Sequence, residues 1–223
     1  MLVPTLPESR FLILDDADMA SLVSVALAAE RWAGVGGSDR APVVVPAWWR
    51  PDADTAMPLV HRAVQRRAAL YGLTAVRDEL VAEPAEGSQS FPELSQLLLA
   101  ATRLAARHGC DSVLFPVRAA DLEREVTVAG VAREVDRAVL VGRLASLDGE
   151  GLAACTVITP LVDLDDEQLL DLARDLSVPS DACWWSGVGG EPAAAEAARR
   201  WQGVRGMPAG PGLVAGPRLT RTA

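Results

Sequence analysis

Three aspartates within four residues, Asp15, Asp16 and Asp18, follow the apolar run Phe11 to Leu14 and precede a helix-like stretch that starts at about Ala20. Carboxylates in such a turn can do three kinds of work. They can cap a helix, accepting from its free N–H groups and complementing its dipole. They can hold a divalent cation with hard oxygen ligands. Or Asp16 can attack phosphorus while Asp18 serves as acid and base. All three readings stay open in the sequence.

Two tryptophan pairs, Trp48-Trp49 and Trp184-Trp185, are the other prominent groups. Both fall at expected strand or loop ends. In each pair one ring is expected to pack inward while the other can face a cleft. Such rings stack on planar ligands and are enriched at interfaces. They also serve as plugs that fill a disused cleft, and plugging or an interface is the preferred reading. His61 and His108 lie on expected helices amid arginines and read as lone exposed histidines, so no Ser/His/Asp or Cys/His set can be assembled. Arg66-Arg67 and Arg199-Arg200 read as solvated faces. Cys110, Cys155 and Cys183 are scattered, and Cys110 and Cys155 read as small buried thiols, with no disulfide framework and no metal-binding pair.

The elements that position these groups alternate. Short apolar runs at 10–14, 41–46, 111–117 and 153–161 read as strands, and 73–81 as a strand or an extended arm. Helical spacing marks 20–33, 57–72, 91–109, 132–147 and 165–178, with Pro58 and Pro92 near two helix starts and Gly72 and Gly109 at two ends. Continuous apolar strands between helices of ten or more residues mean parallel strands buried on both faces. The expected fold is α/β: a doubly wound, mostly parallel five-stranded sheet with helices on both faces. Residues 1–190 are expected to form that domain, and 191–223 a further helix and a Gly/Pro-rich tail. Ligands bind beyond the carboxyl ends of such strands, here at Asp15 to Asp18, Pro46 to Arg50, Pro116 to Asp121 and Thr159 to Asp163.

Composition narrows the partners. The net charge is -9, which argues against nucleic acid or an anionic membrane surface. No apolar stretch is long enough to span a bilayer, and the start lacks a signal peptide's pattern, so a cytoplasmic protein is expected. Every basic residue is arginine, so no reaction that needs a lysine is open to this chain.

The order of pieces over about residues 10 to 190 resembles the PP-loop ATP pyrophosphatases, particularly the 7-cyano-7-deazaguanine synthase branch that makes the queuosine precursor. Those enzymes follow their first strand with SGGxDS, where Asp15-Asp16-Ala17-Asp18-Met19-Ala20 stands here. Their long helix opens with Pro-x-Arg-Asn, where this chain has Pro92, Glu93 and Leu94. VLFPVRAAD places Asp121 on the family aspartate. Pro160, a helix from Asp166, Pro179 and the ACWWSG stretch at 182–187 follow in family order. The resemblance implies a Rossmann-like fold and an ATP site at the first turn. The chemistry departs from it. Glycines let backbone N–H groups approach phosphates, whereas each like-charge pair at ~4 Å costs about 1 kcal/mol in water. The family lysine falls on Asp166, and the zinc cysteines after the WSC stretch are absent.

The expectation is therefore a catalytically degenerate relative, a homodimeric binding or assembly protein with no catalytic residue, no metal and no cofactor. A small planar ligand or a protein partner would meet Asp15, Asp16, Asp18, Trp48, Trp49, Asp121, Trp184 and Trp185. The alternative is an enzyme. One form is a diverged ATP-dependent ligase of the PP-loop type. The other is a Mg-dependent phosphatase, since Asp16 to Ala20 resembles the DxDx(T/V) motif of haloacid dehalogenase-type phosphatases up to its last position. That family's lysine is impossible here, and VDLDDE at 162–167 is the nearest candidate for its acidic motif.

Overall fold

The computed structural model describes residues 4–33, 41–50, 53–81, 93–123, 125–148, 155–186 and 192–202. The turn at 34–39, the loop at 83–90, Pro92 and the Gly/Pro-rich tail at 207–223 lie outside the described residues.

Strand β1 (Phe11–Asp15) is buried along its whole length, which requires a central place in a sheet covered on both faces. It pairs in parallel with β2 (Val43–Trp48) on one side and β5 (Ser112–Leu114) on the other, with Ile13 level with Val44 and Leu114. The order is β3-β2-β1-β5-β6, with β3 at Thr74–Ala75 and β6 at Thr156–Ile158, and every pair is parallel. The stretch at 73–81, expected as one strand or an arm, gives two short strands. Thr74 and Ala75 pair with Val43 and Val44, while β4 (Leu80–Val81) pairs with Ala47 and Trp48 farther along the same strand. The five expected sheet positions are thus occupied by six strands. Asp78 and Glu79 fall in the break, where they meet two histidines.

Alternation along β1 divides the core. Ile13 faces a layer built from α1 (Met19–Ala33), α2 (Ala53–Tyr71), α6 (Asp166–Asp175) and α7 (Pro192–Gln202). Leu12 and Leu14 face the layer of α3 (Leu94–Arg107) and α5 (Val128–Asp148). The short α4 (Ala119–Glu123) follows β5. Helix α2 begins four residues before the expected start at Met57, so Pro58 lies inside it and not in its first turn. Gly72 and Gly109 take left-handed φ of 66° and 65° just beyond α2 and α3, the conformation that ends a helix most easily with glycine.

Helix α6 starts with a capping box. Asp165 accepts from the Gln168 N–H, and the Gln168 side chain accepts from the Asp165 N–H. Replacing Asp165 with alanine should cost about 1 kcal/mol in urea unfolding; an unchanged midpoint would show that the cap contributes nothing. Among the described residues no helix is long and apolar enough to cross a membrane.

The chain runs outward from β1 to β2 and β3, then returns to place β5 and β6 on the other side of β1. The switch point lies at the carboxyl ends of β1 and β5, which is where doubly wound sheets open a ligand crevice. Asp15 ends β1 there, and Arg118 and Asp121 follow β5.

Candidate functional site, a buried carboxylate turn

The turn after β1 is tight, and one of its residues is left-handed. Ala17, which stands on the second glycine of the SGGxDS pattern, has φ 59°. A non-glycine residue adopts this left-handed region at a cost of about 1 kcal/mol. Four successive N–H groups of the turn, from Asp16 to Met19, are each taken by a side chain of the same loop or helix. Ser21 Oγ accepts from Asp16 N at 3.3 Å, Asp15 Oδ1 from Ala17 N at 2.7 Å, Asp16 Oδ1 from Asp18 N at 3.1 Å, and Asp18 Oδ1 from Met19 N at 2.8 Å. Three carboxylate oxygens and one hydroxyl thus take up these four donors, the kind of backbone groups that can hold an anion.

The three carboxylates are buried and each meets a cation. Arg67 Nη1 donates to Asp15 at 2.7 Å, and both side chains are 0% exposed. Arg67 also donates to the carbonyls of Ala182, Ala17 and Asp18, tying α2 to the loop and to the turn before the tryptophans. Arg67 is therefore no solvated face. Its α2 position points under the sheet edge, and only Arg66 of that pair is exposed, bound to Asp181. Arg50, just past β2, bridges Asp16 and Asp18 at 2.8 Å each. Asp18 Oδ1 accepts further from the indole N–H of Trp185 at 2.9 Å and of Trp201 at 3.0 Å.

A second network sits beside the first. Arg118, buried after β5, and Arg200 of α7 both bridge Asp121 and Asp166. Their guanidinium carbons lie 5.3 Å and 5.0 Å from the centre of the Trp201 ring, a double cation–π contact. Arg200 is only half-exposed, since its guanidinium is drawn inward, which corrects the reading of that pair as a solvated face. Trp201 is 1% exposed and joins the two networks.

Charge follows from this geometry. Burial, against the pull of Arg50 and with the push of Asp18, raises the Asp16 carboxyl to about 6. Burial would also raise Asp18, but Arg50, the Trp185 indole and the Met19 N–H outweigh it and hold Asp18 below the usual carboxylate range. Burial raises Asp15 in spite of Arg67. Asp166 is held low, its burial outweighed by hydrogen bonds and charge from Arg200 and Arg118.

Asp16 thus binds its proton more tightly folded than unfolded. The stability it contributes is complete below about pH 4 and is lost as the pH rises through about 6. Urea midpoints of the wild type and of Asp16→Asn, measured from about pH 4.5 to about pH 7.5, should diverge, the wild type falling relative to the variant as pH rises. A constant difference across that range would contradict the burial of Asp16 as a raised acid.

The tryptophans do not leave a ring facing an open cleft. Trp48 packs edge-on against Trp184 at 5.4 Å in one layer, and Trp49 edge-on against Phe115 at 5.0 Å in the other. All four rings of the two pairs are buried, and the expectation of one cleft-facing ring per pair is corrected. Trp48 and Trp49 are successive residues at the end of β2, so they must enter opposite layers. The histidines are not lone either: His61 pairs with Glu79 at 2.6 Å and His108 approaches Asp78 at 3.8 Å. The three cysteines are free and buried. Among the described residues no group of three His, Cys, Asp or Glu side chains is arranged to hold a metal ion.

Arg50, Arg67, Arg118, Arg200 and Trp201 complete the site and were not singled out from the sequence as site residues. For Arg50 and Arg118 a signal exists: each ends an apolar run at a strand's carboxyl edge, where a parallel sheet also gathers Asp15 to Asp18. Arg67 and Arg200 sit in ordinary amphipathic helices, and nothing local marks them.

A parallel sheet wound both ways from its first strand, with helices on both faces and a tight loop at the switch point, is a doubly wound, Rossmann-like α/β fold. No family model and no curated protein matches the chain. Solved structures do. The chain is similar to the U34-tRNA thiolase NcsA from Methanococcus maripaludis, with 13% identity and a TM-score of 0.50, covering 87% of this chain and 66% of that one. It therefore spans just under two thirds of the thiolase's length. An NMN synthetase from Francisella tularensis matches with 15% identity and a TM-score of 0.41 over 91% of this chain and 80% of that one. An NAD+ synthetase from Burkholderia pseudomallei matches with 16% identity and a TM-score of 0.37 over 85% of this chain and 65% of that one. At these identities the likeness is one of fold.

Proposed function

We propose that this protein is a non-catalytic binding or assembly protein on a PP-loop-type fold, with the nucleotide loop filled from within. One observation carries the reading: the loop's successive N–H groups are satisfied by Ser21 and by the loop's own carboxylates, which are in turn neutralised by Arg67 and Arg50. A triphosphate would have to displace these carboxylates, break their ion pairs and leave the arginines and Trp201 to rearrange. The layout from Asp15 to the ACWWSG stretch supports descent from the 7-cyano-7-deazaguanine synthase branch, and the filled loop supports loss of its ATP chemistry.

Turnover assays test this. The purified protein should release no pyrophosphate from ATP and no phosphate from phosphomonoesters with Mg²⁺, and Asp16→Asn should change neither. ATP cleavage to AMP and pyrophosphate would instead establish a ligase. Mg²⁺-dependent phosphate release that Asp16→Asn abolishes would establish a phosphatase.

A further inference from the structure

Helix α5 carries an apolar stripe on its outer side. Glu134, Ala138 and Val141 are buried and mark its inner face. At 100° per residue the line opposite runs through Ala132, Asp136, Arg143 and Leu147, with Val139 and Leu140 on either side, and all six are exposed. Leu140 is 62% and Leu147 83% exposed. Single exposed apolar residues are ordinary, but several gathered on one helix face mark an interface.

The charges on this stripe say what covers it. Asp136 and Arg143 have no ion-pair partner among the described residues, unlike Arg137, which is paired to Glu134. They lie symmetrically about the midpoint between Val139 and Leu140. A second α5 laid antiparallel across a two-fold axis at that midpoint sets Asp136 against Arg143 and Ala132 against Leu147 of the second copy, and gathers Val139 and Leu140 of both copies at the axis. Both charges are matched twice, and the apolar residues at the axis meet one another. A surface that complements itself under a two-fold rotation is the requirement for a closed dimer. A groove of about 870 Å3 between α5 and the start of α3, with Leu94, Leu140 and Leu144 in its walls, runs along one flank.

We propose that two copies of this chain associate through antiparallel α5 helices about a two-fold axis between Val139 and Leu140. Helix α5 lies in the layer opposite α1, so this interface is independent of the aspartate loop and of the proposed loss of ATP chemistry.

Sedimentation equilibrium of the full chain tests it through a charge swap. The wild type should be dimeric. Asp136→Arg or Arg143→Asp alone places like charges face to face twice and should weaken dimerisation by about tenfold or more. The double variant Asp136→Arg/Arg143→Asp should restore it. Leu140→Asp, at the centre, should give a monomer with an unchanged circular dichroism spectrum. A monomeric wild type at about 100 µM, a tenth of the millimolar range of weak encounters, would overturn the proposal. So would a dimer indifferent to the single reversals, or one not restored by the swap.

Discussion

Replacing Arg67 with methionine should lower the free energy of unfolding by about 3–5 kcal/mol and the melting temperature by about 10 °C. Arg67 is fully buried, and its donors serve the Asp15 carboxylate and the carbonyls of Ala17, Asp18 and Ala182. Methionine fills a similar volume but removes the counter-charge of Asp15 and the donor to the Ala182 carbonyl; Asp15 Oδ1 keeps the Ala17 N–H, and Oδ2 already has no hydrogen bond. An unpaired buried carboxylate is the larger part of the cost. Restoring neutrality with Asp15→Asn should recover part of the loss, because a buried ion pair replaced as a unit costs less than one broken in half. Urea unfolding of the two single variants and the double variant reads this directly. Additive losses would mean that Asp15 and Arg67 do not act as a pair.

Replacing Trp201 with alanine should cost about 3–5 kcal/mol, the range for deleting a buried large aromatic ring. The ring lies between the guanidinium groups of Arg118 and Arg200, and its N–H donates to Asp18. Trp201→Phe keeps most of the packing and loses the N–H, so it should cost about 1 kcal/mol. Thermal melts of the two variants separate packing from hydrogen bonding. Trp201→Ala also separates two ways of closing the site. With the ring gone, Asp18 still accepts from Arg50, Trp185 and Met19, so the variant should gain no affinity for ATP. A gain would show that α7, and not the aspartates, keeps nucleotide out.

Much of this architecture was legible because strands buried on both faces leave an unmistakable mark. FLIL, VVVP and SVLF read as apolar runs because no position along them meets water. The stops at Gly72 and Gly109 were legible because a left-handed φ favours glycine. The break between β3 and β4 was not, since two-residue strands hold too few residues to show a period. The aspartate cluster was visible at once, and the sequence left capping, metal binding and phosphoryl chemistry open. What it could not show was the counter-charge. Arg67 lies 52 positions from Asp15, and Trp201 lies 183 positions from Asp18, so only the fold brings them together. The C-terminal helix read as an appendage because AAAEAARRWQ is short and alanine-rich; its role rests on Arg200 and Trp201, which cap the carboxyl edge of the sheet.

The most direct test of the filled loop is a thermal-shift titration of the wild-type protein with ATP and Mg²⁺, together and separately. A ligand present at about 100 times its Kd stabilises a fold by about 2.7 kcal/mol. The filled loop predicts no change in melting temperature at any ATP concentration, with or without Mg²⁺. A saturable rise with ATP and Mg²⁺ would contradict it and show that the carboxylates of Asp15, Asp16 and Asp18 yield to phosphate.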